Sequence, residues 1–216
     1  MSKTLKVALG LGFAMLLIGI AISFTQRGSV ATDNDDAVLA DARLATPRPL
    51  TAFALTAHDS RPLDRERLRG RWTLLFFGYT HCPDVCPITL SELAGMARTL
   101  EPTLRDDTQF VFVSVDPQRD TPESLGDYVR YFDERFLGAT GSIEALTSLA
   151  RQLDSRFSLE TDPAGEPVVN HSSAMLLIDP QVRYYARLKA PHYAEQIRTQ
   201  YLALRAEYQQ FQSSRP

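Results

Sequence analysis

Three kinds of apolar pattern divide the chain. The first is one unbroken stretch, Val7 to Phe24 (VALGLGFAMLLIGIAISF), which follows Lys3 and Lys6. At 1.5 Å per residue it would span about 27 Å, close to the hydrocarbon thickness of a bilayer. The lysines ahead of it favour an N-terminus kept in the cytoplasm, a bias that Arg27 weakens a little. The competing reading is a cleaved signal peptide with Ser29-Val30-Ala31 as its small-residue site. The apolar region of such peptides is usually shorter, about 7–15 residues. We therefore expect residues 1–25 to be a cytoplasmic tip and a single-pass transmembrane anchor. The rest of the chain would then lie on the outer face of a bacterial inner membrane, in the periplasm. No cysteine follows the run, so no lipid attachment is expected there.

The second pattern is an absence of period. Residues 26–47 mix Ala, Asp and Arg, with Pro47 at the end and Pro49 just beyond it. With neither helical nor strand spacing, this stretch reads as a polar linker. The third pattern, over residues 48–212, alternates strand-like and helix-like segments. Trp72 to Tyr79 (WTLLFFGY) and Phe110 to Val115 (FVFVSV) are continuous apolar runs, as expected of central strands buried on both faces. Ile88 to Leu100 reads as a helix with Pro87 in its first turn, where proline is tolerated. Thr121-Pro122-Glu123 opens another helix, with Thr121 as cap, Pro122 at its first position and an acid at the positive end of the dipole. Leu125, Tyr128, Val129 and Phe132 mark its apolar face. A further helix is expected from Ser142, with Ile143, Leu146, Ala150, Leu153 and Phe157 at helical spacing. Ala174 to Ile178 and Arg183 to Leu188 are close enough for an antiparallel hairpin. The last helix carries Ile197, Tyr201, Leu204, Tyr208 and Phe211, a stripe read as packed core rather than a partner site. A βαβ start, a hairpin and a closing helix make an α/β fold of thioredoxin type: an α/β/α sandwich on a mixed sheet, behind one membrane helix.

Composition narrows the function classes. The net charge of −3 leaves no basic footprint for nucleic acid, and neither GxGxxG nor GxxxxGK occurs. There are only two cysteines, Cys82 and Cys86. A framework of stapling disulfides is thus excluded, and the pair is catalytic, metal-binding or incidental. They lie in Gly78-Tyr79-Thr80-His81-Cys82-Pro83-Asp84-Val85-Cys86-Pro87, between a strand end and a helix, where ligands and reactive groups collect in open α/β sheets. If the helix starts inside the motif, the two sulfurs share one face, about 6 Å apart at Cα. Helix-start N–H groups favour thiolate over thiol, which serves a metal ligand and a redox couple equally. The spacing does not choose between them.

A metal would need further ligands from four histidines. His171, in Val168-Val169-Asn170-His171-Ser172-Ser173, stands just before the Ala174 strand. In a thioredoxin fold that loop lies beside the cysteine loop, so His171 is a candidate ligand, with a structural histidine as the alternative. Two thiolates and one imidazole form a soft set suited to Cu(I), or to Cu(II) with an added water or carboxylate. Structural zinc would want a fourth protein ligand. His81 abuts Cys82, but an adjacent residue points elsewhere. His58 is read as solvated and His192 as a loop residue. Asp116, in Val113-Ser114-Val115-Asp116-Pro117, ends a strand facing the site; it either orients a ligand from the second layer or only starts an Asp-Pro turn.

The series GYTHCPDVCP, VSVDPQRDTPE and VNHSSAMLLIDP, in that order behind an N-terminal anchor, closely resembles the Sco/SenC family, over about residues 48–210. The resemblance implies a copper chaperone for cytochrome c oxidase assembly, with Cys82, Cys86 and His171 at the copper-ligand positions. Its partner would be oxidase subunit II, which holds a binuclear copper centre, and its donor another periplasmic copper chaperone. Many members carry aspartate just before the metal histidine, where this chain has Asn170; that substitution is expected to weaken Cu(II) preference or alter the imidazole's orientation. A second reading is a thiol–disulfide reductase, with Cys82 and Cys86 as its redox pair, keeping the oxidase's cysteines reduced. A peroxidase on the same fold ranks last, because Asp84 between the cysteines disfavours an anionic nucleophile.

Overall fold

A computed structural model describes residue 39 and residues 41–213, apart from 164 and 166. The apolar run at 7–24 expected to be the anchor, and the linker to residue 38, lie outside the described residues. Among the described residues, no helix is long and apolar enough to cross a membrane.

The strands are β1 (Arg43–Pro49), β2 (Ala54–Ala57), β3 (Pro62–Asp64), β4 (Trp72–Gly78), β5 (Thr108–Ser114), β6 (Leu137–Thr140), β7 (Phe157–Thr161), β8 (Pro167–His171), β9 (Met175–Ile178) and β10 (Arg183–Leu188). The helices are α1 (Arg65–Leu68), α2 (Val85–Thr99), α3 (Pro102–Asp106), α4 (Pro122–Phe132), α5 (Ile143–Gln152) and α6 (Ala194–Ser213). Eight strands form one mixed sheet in the order β1-β10-β9-β4-β5-β6-β2-β3, with β7 and β8 as a separate ribbon. Parallel pairing joins β4 to β5 and β5 to β6, while β9 and β10 form the expected antiparallel hairpin.

The continuous apolar runs behave as their composition requires. Every residue of β4 and β5 is buried, and alternate side chains face opposite layers. Leu75, Phe77, Val111 and Val113 pack with Leu146, Leu149 and Leu153 from α5 and the residue after it. On the other face Phe76 meets Phe112, which meets Tyr128 of α4, and Trp72 meets Tyr201 of α6. The sheet is thus sandwiched between α5 and the group α2, α4 and α6. Burial of this size is the dominant favourable contribution to folding.

Thr121 caps α4 in a capping box with Ser124, and Pro122 opens the helix. Ser142 caps α5 through the Ala145 N–H at 3.2 Å.

Three expectations need correcting. The linker does not extend to residue 47, because Arg43–Pro49 pairs antiparallel with β10. Its burial does not alternate, since only Leu44 and Pro47 along this sheet edge are half-buried, and two prolines further obscure the strand. Phe157 does not continue α5; it opens β7, after the chain turns at Asp154 with φ 48°. Phe211 is 54% exposed, whereas Ile197, Tyr201 and Leu204 are in the core.

Candidate metal centre

Gly78 closes β4, and its carbonyl accepts the Val115 N–H at 2.9 Å, tying the start of the cysteine loop to the end of β5. The loop turns through Cys82 N–H to Tyr79 O at 3.3 Å, and α2 begins at Val85, with Asp84 as a cap residue that makes no side-chain bond. An orphan N–H near the helix start therefore finds another acceptor: Cys86 N–H points at Cys82 Sγ, 3.5 Å away. The sulfur stands where a capping oxygen ordinarily would. Cys82 is half-buried and Cys86 fully buried, and both thiols are free.

From the other side, β8 delivers His171. Its Nε2 lies 3.5 Å from Cys86 Sγ, and its Nδ1 lies 3.1 Å from the Ser172 carbonyl. With Nδ1–H donated to that carbonyl, the Nε2 lone pair faces the sulfurs, the arrangement that fixes a metal-binding imidazole. Phe76 and Tyr79 hold the ring edge-on at 5.8 and 5.9 Å. The donor atoms of Cys82, Cys86 and His171 all lie within 4.8 Å of one another. Metal–sulfur and metal–nitrogen bonds of about 2.3 and 2.1 Å would be met after closure by less than about 1 Å. The structure thus brings together the three residues that sequence nominated.

Burial sets the resting protonation. It pushes the Cys86 thiol well up, against the Tyr79 backbone hydrogen bond, and it lowers His171. Unmetallated, the pocket holds a neutral thiol beside a neutral imidazole, and an ion entering it must displace a proton from sulfur.

The other nominated side chains are placed differently. Asp116 is buried but not among the converging donors. Its carboxylate pairs with Arg119, whose guanidinium lies over the Tyr79 ring at 5.7 Å, so it reaches the site only through two intermediaries. His81 points away, 58% exposed, with Nδ1 3.0 Å from Thr80 Oγ1. His58 is not solvated: half-buried, its Nδ1 accepts the Gly138 N–H at 3.0 Å. His192 is a loop residue, and its ring bonds the Ser173 carbonyl at 2.8 Å. The Asn170 side chain turns from the site toward Ser158 and Glu160.

Two supporting residues were missed from sequence. Asp120 is fully buried and accepts from the Thr80 N–H at 2.8 Å, Thr80 Oγ1 at 2.5 Å and Ser114 Oγ at 2.5 Å, stitching the cysteine loop to β5. Gly78 is needed for space, since a Cβ there would stand 2.6 Å from both Cys86 Sγ and Phe112 Cε2. A lone aspartate before a helix cap carries no signal of the first role. A glycine ending a buried strand hints at the second, because it marks close approach.

Comparison with known proteins decides the lineage: the SCO1/SenC family model matches residues 42–204. The chain belongs to the SCO1/SenC family. The bovine mitochondrial protein SCO2 homolog is 39% identical over 151 residues, 67% of this chain and 55% of its own length. The Arabidopsis thaliana mitochondrial SCO1 homolog 1 is 36% identical over 132 residues, which is 61% of this chain and 40% of that protein. The chain thus spans about half the length of these mitochondrial relatives. Among solved structures, copper-bound ScoI of Arabidopsis thaliana superposes with a TM-score of 0.68 at 31% identity, covering 73% of this chain and 98% of that one. Apo Sco1 from Thermus thermophilus gives 0.68 at 32%, covering 75% and 94%. The thioredoxin-type sandwich with its mixed sheet is therefore the SCO1/SenC fold.

Proposed function

We propose that this chain is a copper metallochaperone that delivers copper to the binuclear centre of cytochrome c oxidase subunit II during oxidase assembly. Copper is the cargo. The reduced sulfurs of Cys82 and Cys86 accept it, and His171 supplies the third bond. The observation that carries this reading is the convergence of two thiols and one imidazole, far apart in sequence, within 4.8 Å. That soft set matches Cu(I), and a fourth donor from solvent would accommodate Cu(II). The half-buried Cys82 offers an approach for ligand exchange with a recipient, while buried Cys86 and half-buried His171 hold the ion. The apolar stretch at 7–24 after two lysines supports an anchor in a bacterial inner membrane with the domain in the periplasm. Within that compartment a second copper chaperone is the expected donor.

The same dithiol supports a second reading, because Cys82 and Cys86 lie side by side with unequal exposure. As a reductase, the pair would close to a disulfide while a recipient disulfide opens to two thiols, so two electrons and two protons pass to the recipient. The deciding experiment is a copper titration of the reduced full chain in detergent, followed by absorption and electron paramagnetic resonance. One copper per chain is expected, with affinity falling by more than about 100-fold in Cys82→Ser and in His171→Ala. Unchanged affinity in His171→Ala would remove the imidazole from the site. Unchanged thiol–disulfide exchange in that variant, with copper lost, would separate the two activities.

A further inference from the structure

The end of the sheet remote from the cysteines carries a concentration of fixed positive charge that the copper reading does not use. A cleft of about 670 Å³ opens at the start of β4 and β5. Arg61, Arg67, Arg71, Arg105 and Arg135 line it, with Phe110 and Leu137 among its apolar walls. That volume lies within the range of small-ligand sites, about 300–1,000 Å³. Three of the guanidiniums are held by carboxylates beside the cleft. Asp59 takes two bonds from Arg67, at 2.9 and 2.6 Å, and one from Arg61 Nε at 2.9 Å. Asp133 grips Arg135 at 2.8 and 2.6 Å. Arg71 is held differently, by the backbone carbonyls of Asp106 and Thr108 at 3.2 and 3.5 Å, and so keeps its full charge. Among the described residues neither Arg71 nor Arg105 is in an ion pair. Asp64, which accepts the Arg67 N–H at the start of α1, and Asp106 also line the cleft, so with Asp59 and Asp133 the five arginines face four carboxylates.

Each guanidinium has five N–H donors, and these arginines use only some of them internally. Four are already ordered, so less side-chain entropy would be lost when a ligand takes the remaining donors. Forked donors around a concave floor suit a planar or tetrahedral oxyanion better than a point charge would.

We propose that this cleft binds a multivalent oxyanion of the phosphate class, with Arg71 and Arg105 supplying N–H donors that no carboxylate occupies. It lies at the opposite end of β4 from Gly78, about 20 Å along the strand, so occupation leaves the copper site untouched. Asp41, where the domain begins, pairs with Lys189 just past β10, near the metal end of the sheet. The cleft is therefore remote from the first residues of the domain; a dissolved anion and a lipid headgroup share the chemistry it would recognise, and the two arms of the test tell them apart.

The test is calorimetric titration of pyrophosphate into the full chain in detergent at constant ionic strength, with a parallel arm in which phosphatidylglycerol is added to the micelles. Saturable 1:1 binding of pyrophosphate is expected, weakened about tenfold or more in Arg71→Ala/Arg105→Ala, while copper stoichiometry stays at the parent value. Arg105→Gln alone, at a half-buried side chain without an ion-pair partner, tests the site without touching the Arg71 contacts; a drop of about threefold is expected. Arg69→Ala, a nearby arginine outside the cleft, should leave affinity as it was. Loss of phosphatidylglycerol binding in the double variant, with no pyrophosphate binding in the parent, would keep the site and assign the anion to lipid. Absence of saturation by both probes, or an equal loss in Arg69→Ala, would overturn the proposal.

Discussion

The two halves of the metal centre rest on very different supports. The cysteine loop hangs from β4 and β5, whose residues are buried without exception, and Asp120 bolts Thr80 to the sheet from beneath. His171 arrives on the ribbon β7–β8, in which Val169 is the one buried residue and Leu159 and Val168 are exposed. The ribbon is fastened mainly at its base, where Ser172 N–H bonds Arg156 O at 3.0 Å and Arg187 bonds Ser172 Oγ at 2.8 Å. A two-stranded ribbon is marginal on its own, whereas a central parallel strand opens only with the whole domain. The sulfurs therefore form a fixed seat and the imidazole a movable arm. For a protein that must both hold an ion and give it up, that division places the adjustable bond on the less stable element.

Hydrogen exchange would break the comparison most directly. Amides of Ser158 and Asn170, opposite one another at a hydrogen-bonded position of the ribbon, should exchange at least about 100-fold faster than those of Leu75 and Phe76 in β4. Equal protection would mean that the ribbon is as firmly held as the sheet. The seat can be attacked next. Gly78→Ala forces a methyl against Cys86 Sγ and Phe112, at 2.6 Å from each. Because both neighbours are buried and packed, we expect a loss of about 1–3 kcal/mol by denaturant titration, together with weaker copper binding. Parent-like stability and affinity would show that the seat yields as easily as the arm.

Asp120→Asn should act more mildly on the same half. The amide keeps one acceptor oxygen but sets an NH2 against Thr80 or Ser114 where a carboxylate oxygen accepted. A loss of about 1–2 kcal/mol is expected, with copper affinity down about tenfold as the loop loosens. The same substitution should leave exchange in β7–β8 unchanged; an effect there would mean that the halves are mechanically coupled.

The same contrast explains what could be read from residues alone. WTLLFFG and TQFVFVS are buried on both faces, so composition by itself marks them as central strands. Thr121-Pro122 announces its helix through local chemistry. The ribbon strands FSLET and PVVNH and the edge strand RLATPRP face solvent along most of their length, and neither burial nor period distinguishes them from loop. Cys82, Cys86 and His171 stood out because few residue types bind soft metals and this chain has few of them. Asp120 and Gly78 act through contacts made only on folding: a carboxylate meeting a loop 40 residues upstream, and a missing methyl that leaves room for a sulfur. Beyond the glycine's place at the end of a buried strand, nothing in their immediate sequence neighbourhood records those contacts.

The smallest expected effect lies on the arm, at Asn170. An acid at this position would act on copper only if its side chain reached His171, and neighbouring residues on a strand project to opposite faces. The Asn170 amide accordingly donates across the ribbon to Ser158 Oγ and Glu160 Oε1, both at 3.4 Å, while the Ser172 carbonyl orients the imidazole. Asn170→Asp would set a second carboxylate beside Glu160 and exchange a weak attraction for a repulsion. On an exposed cross-strand pair this costs about 0.3 kcal/mol, and Cu(II) affinity should move by less than about threefold. A tenfold gain in Cu(II) affinity would contradict this geometry. It would require the arm to turn on closing, so that residue 170 swings from the solvent side of the ribbon to the metal.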